Sequence, residues 1–232
     1  MNQLLDARVP QIEIGDISYF LYLLSFIGLL VIVILFKNSF QSPLKWVYIS
    51  FFFLGIFQRS LIVFWYIYND IYTLTSALPL QICRVVVWLI IIQCIVKKPI
   101  LNHIIFYFGL FAAAAFVYPI GIWPYYNIAG IAFFIMHAMN VIFPLIMLLS
   151  GDFKPSIKGA LIASGAFTAY YISILLINEW LDANYFFIHS RPFLHELSLF
   201  QYSLVNILGT TAAFIVIGVL LKWVSKYLRV VE

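Results

Sequence analysis

Two arginines, a glutamine, a cysteine and a histidine–asparagine pair stand inside long apolar runs of this chain. They are Arg59, Gln81, Cys83, Arg84, His137 and Asn140. Intramembrane ionisable groups are costly and usually mark function. Arginine stays charged at any accessible pH, so Arg59 and Arg84 need either an anion or a route to the interface. A phosphate or carboxylate is the partner whose shape suits a guanidinium. His137 has the chemistry of a general acid or base, with a hydrogen bond between helices as its plainer use. Cys83 is read first as a small buried residue and second as a nucleophile. Gln81 and Arg84 are three residues apart, as are His137 and Asn140, so each pair shares one helix face. On a continuous helix Cys83 would lie ~200° round from Gln81, pointing largely away from it.

The elements that position these groups are spans of a membrane bundle. The chain has 232 residues, 65% of them hydrophobic and only 9% charged, with a mean hydropathy of +1.05. A soluble domain carries about 25% charged residues. Lipid must therefore be the solvent. Seven stretches are long and apolar enough to cross a bilayer: 18–36, 44–66, 76–96, 100–118, 129–149, 159–177 and 201–221. The expected fold is thus an all-α bundle of about seven transmembrane helices, forming one domain over residues 1–232. Pro79 and Pro144 are expected to interrupt the third and fifth spans and free carbonyls that can line a cavity.

Loop charge orients the bundle. Lys37, Lys45, Lys97, Lys98, Lys154, Lys158, Lys222, Lys226 and Arg229 flank every second connection, against Arg8 and Arg191 on the other side. Basic loops stay in the cytoplasm, so the N-terminus is expected outside and the C-terminus inside. The first 17 residues carry Asp6, Glu13 and Asp16 against one Arg8. A signal peptide opens on positive charge, so the first apolar run is expected to be kept as a helix. The scattered basic residues form no stripe for nucleic acid. Cys83 and Cys94 would stand ~16 Å apart along one helix, too far to pair with each other.

Depth supplies the strongest pattern. Gln58 and Arg59, then Gln81 to Arg84, then His137 and Asn140, and finally Asn206, Thr210 and Thr211 all fall ~8–15 Å below the outer face of four different spans. The simplest account is one polar cavity in the outer half of the bundle. Spans one to three and five to seven also run in the same direction, an arrangement resembling transporters built from two parallel repeats.

Absences narrow the chemistry. The last span has no lysine before Lys222 for a retinal Schiff base. Phosphate-loop, zinc-protease and nucleophile-elbow motifs are missing. No span holds an acidic residue, which argues against a carboxylate proton relay. His189, Arg191 and His195 match no metal spacing, and neither metal nor cofactor is expected.

Three segments carry a resemblance: Leu78-Pro79-Leu80-Gln81-Ile82-Cys83-Arg84, Phe133-Phe134-Ile135-Met136-His137, and Asn184-Tyr185-Phe186-Phe187 followed by Arg191-Pro192. Together they resemble the bacterial YwaF-like integral membrane proteins. The resemblance implies a multi-pass protein of the cytoplasmic membrane. That family is distantly similar to a eukaryotic acyltransferase that moves fatty acyl chains between phospholipids, with a cysteine–histidine pair just after a proline. Carried over, the pair falls on Leu80 and Gln81, and both side chains are different here. Cys83 would then be a shifted nucleophile and His137 the base.

Three functions remain open at this point. The first is a lipid-modifying, acyl-transferring enzyme, with His137 and Cys83 catalytic and Arg59, Gln81, Arg84 and Asn140 binding the ligand. The second is a transporter or binding protein for a small anion or lipid. The third is a regulatory membrane partner without catalysis. Membrane lipids are the expected partners in all three. The nearly pure hydrocarbon of the inner half argues against a transport path.

Overall fold

The computed structural model describes residues 3–40 and 44–228. Arg229, one of the orienting basic residues, lies outside them. The described residues form helices α1 (Ile17–Leu35), α2 (Lys45–Tyr68), α3 (Leu74–Ala77), α4 (Ile82–Val96), α5 (Pro99–Val117), α6 (Ile128–Leu149), α7 (Ile157–Leu181) and α8 (Leu199–Leu228). Six of these, all but α3 and α4, are long and apolar enough to cross a membrane.

The third expected span departs from the sequence reading. Residues 76–96 do not form one helix: α3 ends at Ala77 and α4 starts at Ile82. Proline lacks the N–H an interior turn needs and pushes the preceding residue out of helical geometry. Pro79 therefore breaks the chain. At 15 residues α4 is ~22 Å long, short of a ~30 Å hydrocarbon core. Pro144 behaves differently and sits inside an unbroken α6.

Local chemistry sets the other helix ends. Asn127 caps α6 by accepting from the Ala129 N–H at 2.9 Å, and Ser156 caps α7 by accepting from Gly159 N–H at 3.0 Å. Pro99 opens α5 at its first turn, where its missing N–H costs nothing. Between α4 and α5 a small network closes the turn. Gln93 Nε2 donates to Asn102 Oδ1 at 2.9 Å, and Gln93 Oε1 accepts from Lys98 N–H at 2.9 Å. Asn102, a polar residue near the start of the fourth span, thus anchors it to α4.

Helix α6 is the centre of the bundle. It packs on α2, α4 and α5, with α1 against its flank, while α8 leans chiefly on α7. The extensive α2–α6 packing has no comparable counterpart between α7 and α1, so the two sets of three spans are not equivalently placed. The core is aromatic: Tyr107, Phe143, Phe167 and Tyr171 are fully buried.

Two glycines permit the closest approaches. A Cβ at Gly109 of α5 would run into the carbonyl oxygen of Asn140 on α6. That carbonyl is the one that Pro144, four residues on, cannot bond. A Cβ at Gly130 would meet the carbonyls of Pro124 and Trp123 and the Tyr22 hydroxyl. Backbone atoms cannot swing aside, so Gly130→Val is expected to cost about 1–3 kcal/mol or more. Thermal unfolding of purified protein checks this, with Gly165→Val as the control, because a Cβ at Gly165 meets nothing within 4 Å.

The segment before α1 is folded onto this same end of the bundle. Asn69 Nδ2 donates to Leu5 O at 2.8 Å and its Oδ1 accepts from Ala7 N–H at 3.0 Å. Asn127 Nδ2 donates to the Gln3 and Asp6 carbonyls, and Trp123 Nε1 donates to Ala7 O. Ile12 N–H reaches Ile122 O at 2.8 Å. Residues 3–12 thereby brace the 118–127 connection.

Candidate functional site

Between α2, α4, α5 and α6 lies a cavity of about 630 Å³. It sits at the end of the bundle that carries the 69–81, 118–127 and 182–198 connections. Arg59, Gln81, Cys83, Arg84 and His137 all line it, as do Gln58 and Tyr66. Three helices and the α3–α4 break thus bring five of the six expected site residues to one space.

Each group is held differently. Arg59 is 7% exposed, and its Nη1 is buried without a hydrogen-bond partner. Arg84 Nη2 donates to the Tyr66 hydroxyl at 2.8 Å, and its Nη1 approaches Leu78 O at 3.4 Å. The Leu78 carbonyl is one of those released by the Pro79 break. Tyr170 of α7 takes a second, donating to Leu80 O at 2.8 Å. Among the described residues no acidic side chain lines the cavity. Two guanidiniums therefore share a mostly apolar space without a carboxylate of the protein.

His137 is buried, and its Nδ1 lies 2.8 Å from the Phe133 carbonyl of its own helix. A carbonyl only accepts, so Nδ1 carries the proton in the neutral ring. Nε2 is then the basic nitrogen. The Phe133 ring packs on the imidazole, with centroids 4.0 Å apart. This arrangement holds the tautomer and the ring orientation together.

Gln81 and Cys83 correct the helical-wheel reading. Gln81 precedes the first turn of α4 with extended backbone (φ −63°, ψ 136°), so the ~200° separation of a continuous helix does not apply. Both residues reach the cavity wall. Gln81 Oε1 accepts from Phe186 N–H at 3.1 Å, which ties the break to the long 182–198 connection. Asn140 is not among the lining residues. Its Nδ2 donates to the Cys83 carbonyl at 2.8 Å, so it steadies the start of α4 from α6. Asn206, Thr210 and Thr211 are likewise not at the cavity. Asn206 bonds back to Tyr202 O in α8, and among the described residues of that helix Tyr202 alone is in the lining.

The 182–198 connection supplies a roof that depth counting missed. Phe186, Phe187, Pro192 and Phe193 line the cavity. Phe186 and Phe187 have φ of 57° and 53°, left-handed values that non-glycine residues rarely hold. Their surroundings hold them there. Asn178 brackets Tyr185 at both its N–H and its C=O, and the Tyr185 hydroxyl donates to Thr75 O at 2.6 Å. Phe186 packs on Phe111, Phe167, Tyr170 and Tyr171. Arg191 donates to Ile188 O and Leu197 O and lies over the Tyr202 ring. Tyr66 was legible: it is seven residues from Arg59 and so on the same face of α2.

The remaining titratable loop groups do not gather. His189 Nε2 is 3.7 Å from Glu179, while His195 Nδ1 is 3.4 Å from Arg191 O. Cys83 and Cys94 are both free thiols. Among the described residues no three His, Cys, Asp or Glu side chains cluster as metal ligands.

The fold and site define a class: a multi-pass helical membrane protein with an arginine-bearing cavity under an aromatic roof. Residues 14–224 match the model of the TMEM164 family, and the chain belongs to that family. No curated protein matches the chain, and no solved structure does.

Proposed function

We propose that the protein binds an anionic amphiphile, a phospholipid or its lyso form, in this cavity and transfers an acyl group there. The observation that carries the reading is the meeting of Arg59, Arg84, Cys83 and His137 in one acid-free apolar cavity. Arg59 and Arg84 would hold the phosphate. The apolar walls would take the chain. His137 Nε2 would accept the proton of Cys83 as Sγ attacks the ester carbonyl of the donor lipid. The lyso-lipid oxygen would leave with that proton. In the second half the acceptor hydroxyl would give its proton to His137 and attack the thioester, and the released thiolate would recover the proton. The YwaF-like character and the similarity to a phospholipid acyltransferase belong to this reading. Gln81 contributes by holding the Phe186 roof, and Asn140 by holding the Cys83 backbone.

Cys83→Ser tests the covalent route. With a phospholipid labelled in its acyl chain, the parent protein is expected to trap a thioester that neutral hydroxylamine releases. The serine variant should trap none and lose turnover. Full turnover in Cys83→Ser would remove that residue as nucleophile.

A second reading is a binding protein without chemistry. It is favoured by Leu80 and Gln81, which stand where the similar acyltransferase carries its cysteine and histidine. Native mass spectrometry of gently purified protein separates the readings: a retained intact lipid with no lyso product over time supports binding alone.

The orientation that goes with either reading puts the cavity on the outer face of the plasma membrane and the lysine turns in the cytoplasm. Cysteine labelling at position 196 is expected from outside, and at 97 and 154 only after the membrane is opened. Glu196, Lys97 and Lys154 are exposed. Ile188, in the same outer connection, is fully buried and unsuitable as a probe. Labelling of 196 only in opened membranes would reverse the assignment.

A further inference from the structure

The lysine end of the bundle has a second concavity, independent of the arginine cavity. It is a groove of about 330 Å³ between the start of α2 and the end of α4. Lys45, Tyr48, Phe52 and Phe53 come from α2, and Cys94 and Lys97 face them. We propose that this groove holds an anionic phospholipid of the lysine-side leaflet. The lipid phosphate sits between Lys45 and Lys97, and one acyl chain lies along Phe52 and Phe53.

Four observations carry this. First, cations dominate the groove: among the described residues no acidic side chain lines it and neither lysine makes an ion pair, with the Asp152 carboxylate the nearby opposite charge, close enough to act on Tyr48. Second, Lys97 is exposed but its backbone and its ammonium are both positioned. It is the left-handed cap of α4 (φ 50°), a position usually given to glycine. Its Nζ stands 5.0 Å from the centre of the Tyr48 ring, which directs the ammonium back across α2 to the groove. Tyr48 is itself buried, its hydroxyl 3.4 Å from Met147 Sδ, so this platform is rigid. Third, the walls beyond the lysines are apolar, and Phe53 is 64% exposed. Cations at one end and exposed hydrocarbon beyond match an amphiphile, whereas a free phosphate would have no use for the aromatic wall. Fourth, Trp46, next to Lys45, is 77% exposed. An outward tryptophan at this level marks the membrane–water interface, where the headgroups lie. Basic pockets between helices at that interface are a recurrent way to hold anionic lipids.

The test uses the full chain in discs of equal parts phosphatidylglycerol and phosphatidylcholine, read by native mass spectrometry of the retained lipid. An Arg59→Gln/Arg84→Gln background removes the other cavity from the measurement. Retained phosphatidylglycerol is expected to exceed phosphatidylcholine, and Lys45→Gln and Lys97→Gln should each lower the preference about fivefold. Lys97→Gly keeps the helix cap, because glycine suits positive φ, and should still lose its share. Lys158→Gln, a basic change in the first turn of α7 away from the groove, should leave the preference intact. An equal loss in Lys158→Gln would mean general surface charge and would overturn the site. So would an unchanged preference in the Lys45→Gln/Lys97→Gln protein. Displacement of the lipid by millimolar inorganic phosphate would make this a phosphate site and reject the lipid assignment.

Discussion

His137→Ala is expected to lower acyl transfer by about 10²–10⁴-fold while leaving the fold and topology unchanged. That range is what a positioned general base contributes. No second histidine can substitute, because among the described residues that line the cavity His137 alone is a histidine. The hydrogen bond to Phe133 O fixes which nitrogen is basic, so the effect should follow Nε2 rather than bulk. His137→Gln keeps a donor to Phe133 but has no basic nitrogen, and should be nearly as inactive as alanine. The measurement is turnover of acyl-labelled phospholipid by purified protein, with thermal unfolding as the folding control. If both variants retain full turnover, the catalytic reading fails and binding alone becomes the function.

Arg59→Met is expected to move stability and ligand binding in opposite directions. A buried guanidinium whose Nη1 lacks a partner is expensive to desolvate, and among the described residues no carboxylate lines the cavity to compensate it. Methionine keeps the length and apolar stem without the charge. The variant should therefore unfold at a higher temperature than the parent, by about 1–4 kcal/mol in stability. It should also lose anionic-lipid binding by a factor of about ten or more, since a charge-assisted hydrogen bond contributes ~1.5–3 kcal/mol. Thermal shift and lipid titration on the same sample read both quantities. Lower stability together with unchanged binding would show that Arg59 is an internal brace and that the anion site lies elsewhere. Arg84 is the contrast. Tyr66 and the Leu78 carbonyl already accept from its guanidinium. Arg84→Met should therefore destabilise the α3–α4 break as well as weaken binding.

The composition determined a great deal by itself. With 9% charged residues the chain has no water-soluble solution, and hydrocarbon forces its backbone into helices. Membership of the cavity lining was also mostly readable. Arg59, Gln81, Arg84 and His137 are rare, costly groups in apolar runs, so each needed a reason to be there. Depth along the chain is preserved by any straight helix, and counting residues from the loops located them without coordinates.

What depth counting does not contain is azimuth and partner, and there tertiary structure decided. The Asn206 to Thr211 group has the right depth, but α8 packs chiefly on α7, and its aromatic contacts to α5 run through Phe214 rather than through that group. Asn140 has the right depth and face, yet the Cys83 carbonyl takes its amide. Cys83 looked turned away because the wheel assumed a continuous helix through Gln81. Pro79 ends that assumption, and the residues after it restart in a new phase. The aromatic roof lay furthest from sequence. Phe186 and Phe187 adopt backbone angles that no local propensity favours. They are held there by Asn178, Tyr185 and Gln81, residues brought together only when α7, the break before α4 and the 182–198 connection pack against one another.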